Sequence, residues 1–257
     1  MNKTHRISIT GAGPGDPELL TVKALRRIEQ ADVILYDALL GDSILTLASE
    51  KTELVYVGKL YKDGQCQTER QKTINQKLKD YALQGKQVVR LKTGDPFIFG
   101  RGAEELEFCL KENLQVEVIP GISSAFAAAS AFQIPLTVRK QNSMTLLYTG
   151  RLTDGSFKDS SIVAEVLKTN APVLVYMGLT NMAALAKELI AQGVDQQTPV
   201  QIGSCVGIAG EQLFSCRLDT IESFLNEIHV PMPSIIIIGT LAQALKKTFE
   251  LTKSENV

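Results

Sequence analysis

The stretch Val88-Val-Arg-Leu-Lys-Thr-Gly-Asp-Pro-Phe-Ile-Phe-Gly-Arg-Gly-Ala-Glu-Glu105 decides the fold class, because an apolar strand leads straight into a Gly-Asp-Pro loop and a helix start. A second loop of this kind, Gly11-Ala-Gly-Pro-Gly-Asp-Pro17, follows the apolar run of residues 7–10. Open α/β sheets bind ligands at such strand ends, where free backbone amides donate hydrogen bonds and glycine lets a ligand lie against the main chain. Two loops of one kind predict one shared ligand.

Apolar, β-branched runs alternate with helical patterns through the first part of the chain. The helical segments, such as residues 22–30 and 70–84, place apolar side chains three and four residues apart. This alternation predicts an α/β fold with a mainly parallel sheet covered by helices. The predicted strands are residues 7–10, 33–36, 54–57, 87–91 and 116–119.

The pattern changes after Pro120-Gly121, where strands become shorter and Pro/Gly turns more frequent. We therefore predict a second α/β lobe with a mixed sheet, and a cleft between the lobes as the place for a small ligand. The boundary is expected near residues 114–122, which gives lobes of residues 1–118 and 119–245 and a polar tail of residues 246–257. The second lobe has a predicted helix at residues 124–131 and predicted strands at residues 144–149, 173–177, 200–202, 211–216 and 234–238.

Composition narrows the function. The chain has 257 residues with 44% hydrophobic content, enough to bury a large core, and its net charge of −1 argues against general nucleic-acid affinity. No run approaches the roughly 18 apolar residues of a membrane span and no signal core precedes the first strand, so we expect a cytoplasmic protein. A metal centre is not expected, because the cysteines are scattered and the histidines lie far from the Gly-rich loops. These residues are Cys66, Cys109, Cys205, Cys216, His5 and His229.

The loop Gly11-Ala-Gly-Pro-Gly-Asp16 also allows a dinucleotide-binding interpretation, which its spacing disfavours. The dinucleotide fingerprint is G-x-G-x-x-G, and here the third glycine comes one position early. Pro14 also removes an amide donor that a pyrophosphate needs. A purely structural alternative is a tight strand-to-helix connection in which Asp16 or Thr21 caps the helix.

Polar residues stand at several predicted strand ends and at one helix start. Asp37 and Lys59 end neighbouring strands with opposite charges, which favours a functional role over two solvated termini. Asp95 either holds its own turn by accepting backbone amides or accepts a bond from a ligand. Ser123 and Ser124 fit ordinary helix-capping hydroxyls as well as ligand contacts.

Together with Leu35-Tyr-Asp37, Val57-Gly-Lys59, Pro120-Gly-Ile-Ser-Ser124 and Ile134-Pro-Leu-Thr137, the two loops resemble those of the tetrapyrrole methylases that use S-adenosylmethionine. The resemblance runs from about residue 7 to residue 241 and is closest to the uroporphyrinogen-III C-methyltransferases. It implies their two-lobed fold, a homodimer, and transfer of methyl groups to C2 and C7 of uroporphyrinogen III. The implied products are S-adenosylhomocysteine and precorrin-2, a precursor of sirohaem and cobalamin.

The resemblance also implies roles for individual residues. Asp37 is expected to accept a proton, and Lys59 to donate one or to contact a substrate carboxylate. Arg101 and Arg139 are expected to bind the carboxylate-rich substrate, because arginine grips carboxylates and stays charged when partly buried. The implied cofactor-binding residues are Pro14, Thr93, Gly94, Asp95, Ile98, Ser123, Ser124, Met177 and Gly207.

Some positions depart from the family pattern. Thr93 replaces the first of two usual glycines, while Leu60, Val138 and Arg151 replace basic residues or histidines on the substrate side. These changes leave methyl transfer well supported and the identity of the tetrapyrrole open. The alternatives are a methyltransferase of a later corrin precursor such as precorrin-4, a homologue that binds tetrapyrrole or cofactor without turnover, and a nicotinamide oxidoreductase.

Overall fold

The computed structural model describes residues 6–58, 67–152, 156–157 and 159–243. The chain divides after Ser123 into two compact units, and each unit contains a five-stranded sheet. The predicted α/β class, with a mainly parallel first sheet and a mixed second sheet, is confirmed. The assignment of residues 1–118 and 119–245 as functional lobes stays a prediction, and the polar tail lies outside the described residues.

Five parallel strands form the sheet of the first unit in the order β3-β2-β4-β1-β5. Helices cover both faces of this sheet, so β1 and β4 are buried along their whole length. All five carboxyl ends meet at one edge because the strands are parallel. The strands are β1 (Ile7–Gly11), β2 (Val33–Tyr36), β3 (Glu53–Tyr56), β4 (Val88–Lys92) and β5 (Val116–Ile119).

The helices of the first unit are α1 (Val22–Glu29), α2 (Asp42–Leu45), α3 (Gln67–Leu83) and α4 (Gly102–Lys111). Ile28 of α1 and Ile44 of α2 pack into the cluster on one face of the sheet. Leu78 of α3 and Cys109 of α4 pack into the cluster on the other face. The chain therefore crosses from strand to strand on both sides of the sheet.

The connection from β1 to α1 is capped as one interpretation of its sequence predicts. Asp16 Oδ1 accepts the amide of Glu18 at 2.9 Å, at the start of a short 3-10 helix. Thr21 Oγ1 accepts the amide of Ala24 at 3.1 Å, at the start of α1. Both candidate caps are therefore in use.

The second unit has a mixed sheet in which only β6 and β7 are parallel, in the order β6-β7-β10-β8-β9. Helices α6, α7 and α8 pack on one face through a single apolar cluster, and α5 packs against β10. The strands are β6 (Leu146–Thr149), β7 (Val173–Tyr176), β8 (Pro199–Ser204), β9 (Gln212–Arg217) and β10 (Ser234–Ile238). The helices are α5 (Ser124–Ala131), α6 (Ser161–Lys168), α7 (Met182–Ala191) and α8 (Ile221–Glu227).

Candidate active site

The first sheet has its topological switch point between β1 and β4. These strands are neighbours, yet β1 leads to β2 on one side and β4 leads to β5 on the other. The helices that follow them, α1 and α4, pack on opposite faces of the sheet. Open α/β sheets have a ligand crevice at the carboxyl ends of such a strand pair. The two Gly-rich loops of the sequence both begin there.

The backbones of the two loops are tied directly to each other. The amide of Gly13 donates to the carbonyl of Gly94 at 3.2 Å, and the amide of Gly94 donates to the carbonyl of Gly13 at 2.7 Å. The expectation that amides in these loops are free for a ligand is therefore wrong at Gly13 and Gly94. The loops approach closely enough to satisfy each other's polar groups, as buried backbone requires.

The loop after β5 packs against the same pair, and glycine makes this contact possible. A Cβ on Gly121 would lie 2.2 Å from the carbonyl oxygen of Gly94, and a Cβ on Gly11 would lie 2.5 Å from the amide nitrogen of Gly121. Both distances are far inside van der Waals contact. Gly11 and Gly121 thus serve the packing of three loops on one another.

Asp95 joins the loops after β4 and β5. Its Oδ1 accepts the amide of Phe97 at 2.9 Å, and its Oδ2 accepts the amide of Gly121 at 3.2 Å. Of the two roles left open by the sequence, the structure shows the fixing of the turn. The carboxylate holds these two loops together because both of its oxygens accept backbone amides.

The segment between Asp95 and α4 carries exposed aromatic side chains on unusual backbone. Phe97 and Phe99 are 52% and 42% exposed, and Ile98 between them is half-buried. Phe99 and Arg101 have left-handed φ values of 53° and 60°. Non-glycine residues in this region are uncommon and cluster at functional sites.

Arg101 is placed at the start of α4, where it pairs with Glu104. Its Nε lies 2.9 Å from Glu104 Oε1, and its Nη2 lies 2.5 Å from Oε2. This hydrogen bond lowers the pKa of the Glu104 carboxyl. The pair is half-exposed, so an anionic ligand can reach the guanidinium.

Asp37 follows β2 at the same edge, as predicted, but it is bound to a buried arginine that the sequence analysis missed. Arg90 Nη2 lies 3.0 and 2.8 Å from the two carboxylate oxygens of Asp37. The Asp37 side chain is 33% exposed, whereas that of Arg90 is 2% exposed. Asp37 therefore presents a charge at the edge that is anchored inside the protein.

The buried charges extend to Glu105 of α4 and Lys92 of β4. Oε1 of Glu105 lies 2.9 Å from Arg90 Nε and 3.1 Å from Lys92 Nζ. Burial lowers the pKa of Lys92, and the neighbouring Arg90 lowers it further. The visible signal in the sequence was a pair of cations at alternate positions of an otherwise apolar strand, which places both side chains on one face.

Three other predicted residues belong to the first unit. Pro14 and Ser123 are buried. Thr93 is half-buried, and its hydroxyl oxygen is buried without a hydrogen-bond partner in the described part of the chain. Lys59 lies outside the described residues, so its predicted role stays a prediction.

In the second unit, Met177 and Gly207 lie at one edge of the sheet. Met177 follows β7 and Gly207 comes soon after β8, and both strand ends are beside the start of β10. Met177 is 51% exposed with a left-handed φ of 55°, while the amide of Gly207 donates to Glu211 Oε2 at 2.8 Å. Ser124 begins α5, and Arg139 is exposed in a turn.

One open cavity of about 350 Å³ lies at the opposite edge of the first sheet, near the amino ends of its strands. Its lining is mostly charged and includes the ion pair between Lys86 and Glu53 at 2.9 Å. We assign it no function.

Across the described ranges, no helix is long and apolar enough to cross a membrane. In the same ranges, no group of three or more histidine, cysteine or acidic side chains is placed to hold a metal ion.

The model of the family Tetrapyrrole (Corrin/Porphyrin) Methylases matches residues 6–222. The chain belongs to this family. The glycine-tied loops at the carboxyl edge of the first sheet are thus loops of a tetrapyrrole methylase.

Two curated tetrapyrrole-related enzymes show the extent of the similarity. The chain is 42% identical to the uroporphyrinogen-III C-methyltransferase of Bacillus subtilis over 238 residues, 92% of this chain and 90% of that protein. It is 39% identical to the siroheme synthase of Nitrosospira multiformis over 242 residues, 94% of this chain. The chain spans about half the length of that siroheme synthase, since the match covers 50% of it.

Solved structures of methyltransferases share the fold. The uroporphyrin-III C-methyl transferase of Thermus thermophilus complexed with S-adenyl homocysteine is 35% identical, with a TM-score of 0.77 and 93% of each chain covered. A cobalt precorrin-4 methyltransferase of cobalamin biosynthesis is 26% identical, with a TM-score of 0.80 and coverage of 92% of this chain and 95% of that one. Fold similarity alone therefore does not separate the two substrates.

Proposed function

We propose that this chain transfers methyl groups from S-adenosylmethionine to C2 and C7 of uroporphyrinogen III, giving precorrin-2. The observation that carries the proposal is the 42% identity with the Bacillus subtilis uroporphyrinogen-III C-methyltransferase, over 92% of this chain and 90% of that protein. Identity at this level extends over nearly the full length of both proteins. The 26% identity with the cobalt precorrin-4 methyltransferase is clearly lower.

The residues of the candidate site fit S-adenosylmethionine. The buried hydroxyl of Thr93 has no partner among the described residues and stands beside the glycine-tied loops, where a polar ligand group can pair with it. The exposed thioether of Met177 offers a soft apolar surface at the edge of the second sheet. The proposed cofactor set is the one expected from the sequence: Pro14, Thr93, Gly94, Asp95, Ile98, Ser123, Ser124, Met177 and Gly207.

Within this set, the contacts refine the role of Asp95. Both of its oxygens accept backbone amides of the protein, at 2.9 and 3.2 Å. We therefore propose that Asp95 supports cofactor binding by holding the loops after β4 and β5 together. Each carboxylate oxygen accepts more than one hydrogen bond, so a direct bond from the cofactor to Asp95 is compatible with both amide contacts.

S-adenosylmethionine supplies an electrophilic methyl group, so the chain needs no covalent nucleophile of its own. Its residues have to orient the electron-rich pyrrole carbon, exclude water and receive the proton that the macrocycle loses. Asp37 is the proposed acceptor, because its carboxylate is accessible at the end of β2. Lys59 is the proposed donor or carboxylate contact.

The substrate carries many carboxylates, so the net charge of −1 has to be offset locally by basic residues. Arg101 and Arg139 are the proposed contacts, since both side chains reach solvent. Arg101 would exchange its partner Glu104 for a substrate carboxylate, or hold both. Arginine suits this task because it binds carboxylates through two donors at once.

The substrate is tested by anaerobic incubation of the purified protein with S-adenosylmethionine and either uroporphyrinogen III or precorrin-4. We expect methylation of uroporphyrinogen III only. Methylation of precorrin-4 alone would assign the chain to the later reaction. Cofactor binding by calorimetry without methylation of either tetrapyrrole would indicate a binding protein that has no turnover.

We further propose that the protein works as a cytoplasmic homodimer and that its product serves sirohaem formation. The destination is supported by the similarity to a siroheme synthase. Cobalamin remains the alternative destination, because both pathways begin with the same methylated product. Sedimentation of the purified protein tests the dimer, and the growth requirements of a deletion strain test the destination.

A further inference from the structure

Arg90 is the centre of the buried charge network, and every nitrogen of its guanidinium has a partner. Nη2 donates to both oxygens of Asp37 at 3.0 and 2.8 Å, and Nε donates to Glu105 Oε1 at 2.9 Å. Nη1 donates to the carbonyl oxygens of Leu35 at 3.3 Å and Leu91 at 3.1 Å. The side chain is therefore held from three directions and has one orientation.

Only one member of the network reaches solvent. The side chains of Arg90, Lys92 and Glu105 are 2%, 5% and 0% exposed, and that of Asp37 is 33% exposed. The two cations and two carboxylates balance, so the network adds no net charge to the core. Its accessible end is the carboxylate at the carboxyl edge of the sheet, beside the strand end that opens the Gly-Asp-Pro loop.

A buried ion network often stabilises a fold no better than apolar side chains of similar volume. Removing ions from water costs several kcal/mol for each ion, and the attraction between the ions often no more than offsets that cost. The hydrogen bonding of this network is also incomplete, because Glu105 Oε2 is buried with no partner among the described residues. Stability alone therefore does not explain why β4 carries two cations in its core.

We propose that Arg90 is a positioning residue that fixes the carboxylate of Asp37 for the methyl-transfer reaction, with Glu105 and Lys92 as its buried anchor. This inference rests on the proposed function and on the proposed part of Asp37 in it. A free aspartate side chain at a strand end rotates among several orientations. Arg90 holds both oxygens, so the remaining acceptor directions of Asp37 stay aimed at the sheet edge where the substrate is handled.

The test is a double-mutant cycle with Arg90→Lys and Asp37→Asn, measured as the single-turnover methylation rate of uroporphyrinogen III with excess enzyme. Lysine keeps the charge, but one ammonium cannot reach all four groups that the guanidinium contacts. We expect Arg90→Lys to lower the rate at least about tenfold in the otherwise native chain, since small misplacements of a reacting group are costly. In the Asp37→Asn background the same change should lower it less than about twofold, because residues that act through one another are not additive.

Affinity for S-adenosylhomocysteine, measured by calorimetry, should stay within about twofold in all variants, which separates positioning from general loosening of the fold. The matched control is Arg27→Lys, which weakens the ion pair of Arg27 with Glu117 at 2.6 Å on the same sheet. The control should lower the melting temperature and leave the rate unchanged in both backgrounds. An equal loss of rate by Arg90→Lys in both backgrounds, or no loss at all, would overturn the proposal.

If Arg90→Lys does not fold, Glu105→Gln carries the same test, since it loosens the Nε end of the same guanidinium and keeps the size of the side chain. We expect at least about a threefold loss of rate that disappears in the Asp37→Asn background. A loss that persists there would count against the proposal. An Asp37→Asn protein with the native rate would instead remove Asp37 from the reaction, and a native chain without any methylation would refute the proposed function itself.

Discussion

Asp95→Ala tests whether the loops at the carboxyl edge are held together for the cofactor. The substitution removes the charged acceptor of two hydrogen bonds, which the amides of Phe97 and Gly121 donate at 2.9 and 3.2 Å. A bond of this type contributes about 1.5 kcal/mol at the lower end of its range, so the closed loop arrangement loses about 3 kcal/mol. The backbone bridge between Gly13 and Gly94 remains and retains part of the arrangement.

In the variant, part of the binding free energy of the ligand is used to close the loops, so the measured affinity falls. We expect the dissociation constant for S-adenosylhomocysteine, measured by calorimetry, to rise between about tenfold and about 100-fold, where tenfold corresponds to about 1.4 kcal/mol. Asp95→Asn should fall between Ala and the native chain, because an amide oxygen accepts one of the two amides.

Asp32→Ala is the matched control. Asp32 Oδ2 accepts the amide of Gln87 at 2.7 Å, so it also joins two segments of the first unit, but at the amino ends of the strands. The control should cost stability and leave cofactor affinity within about twofold. A folded Asp95→Ala protein that binds S-adenosylhomocysteine as tightly as the native chain would refute the role given to these loops.

Three further predictions concern the first unit. Gly121→Ala should weaken S-adenosylhomocysteine binding at least about tenfold in calorimetry, because its Cβ would lie 2.2 Å from the Gly94 carbonyl oxygen. The control is Gly193→Ala in the second unit, whose Cβ meets no atom within 4 Å, so it should cost only backbone strain of about 1 kcal/mol. Burial alone would raise the pKa of Glu117, but hydrogen bonds from an arginine and a lysine outweigh it and hold the pKa at about 2. The pKa in the folded protein lies below the ordinary value, so up to about 3 kcal/mol of stability is present above pH 4.5 and is lost as the pH falls toward 2. In Glu117→Gln, the free energy of unfolding measured by chemical denaturation should depend less on pH. Arg101→Ala should raise KM for uroporphyrinogen III at least about tenfold with unchanged cofactor affinity, and an unchanged KM would remove Arg101 from the substrate contacts.

The sequence predicts the elements well where local pattern and packing agree. Strands β2, β5 and β10 and helix α5 have the predicted bounds, because each is rich in β-branched, apolar or small residues and adjoins turn or polar residues. Helix α3 begins three residues before the predicted start at residue 70, at Gln67. Its first turn is polar, so hydrophobic periodicity gives no signal there.

The strand ends were also predictable, and the contacts made there were not. Glycines in the loops after β1 and β4 indicated close approach, but the sequence does not say what approaches. The structure shows that Gly13 and Gly94 bond to each other and that Gly121 closes on Gly94. Which loop residues face each other depends on the register of all the strands in the sheet, and the spacing of residues along the sequence does not give that register.

The buried network was missed for a related reason. Arg90 and Lys92 stand in an apolar strand, where a charge predicts either an exposed edge or a buried partner. Their partner Glu105 lies on the next helix, beside a second glutamate, Glu104, whose side chain is exposed. Which of these two glutamates faces the sheet depends on how helix α4 is rotated about its own axis.

The central claim is tested most directly by anaerobic incubation of the purified protein with uroporphyrinogen III and S-adenosylmethionine carrying a labelled methyl group, followed by product mass and carbon NMR. We expect the gain of two labelled methyl groups, at C2 and C7, and release of S-adenosylhomocysteine in matching amount. An unchanged mass of uroporphyrinogen III, under conditions in which calorimetry shows the cofactor bound, would contradict it.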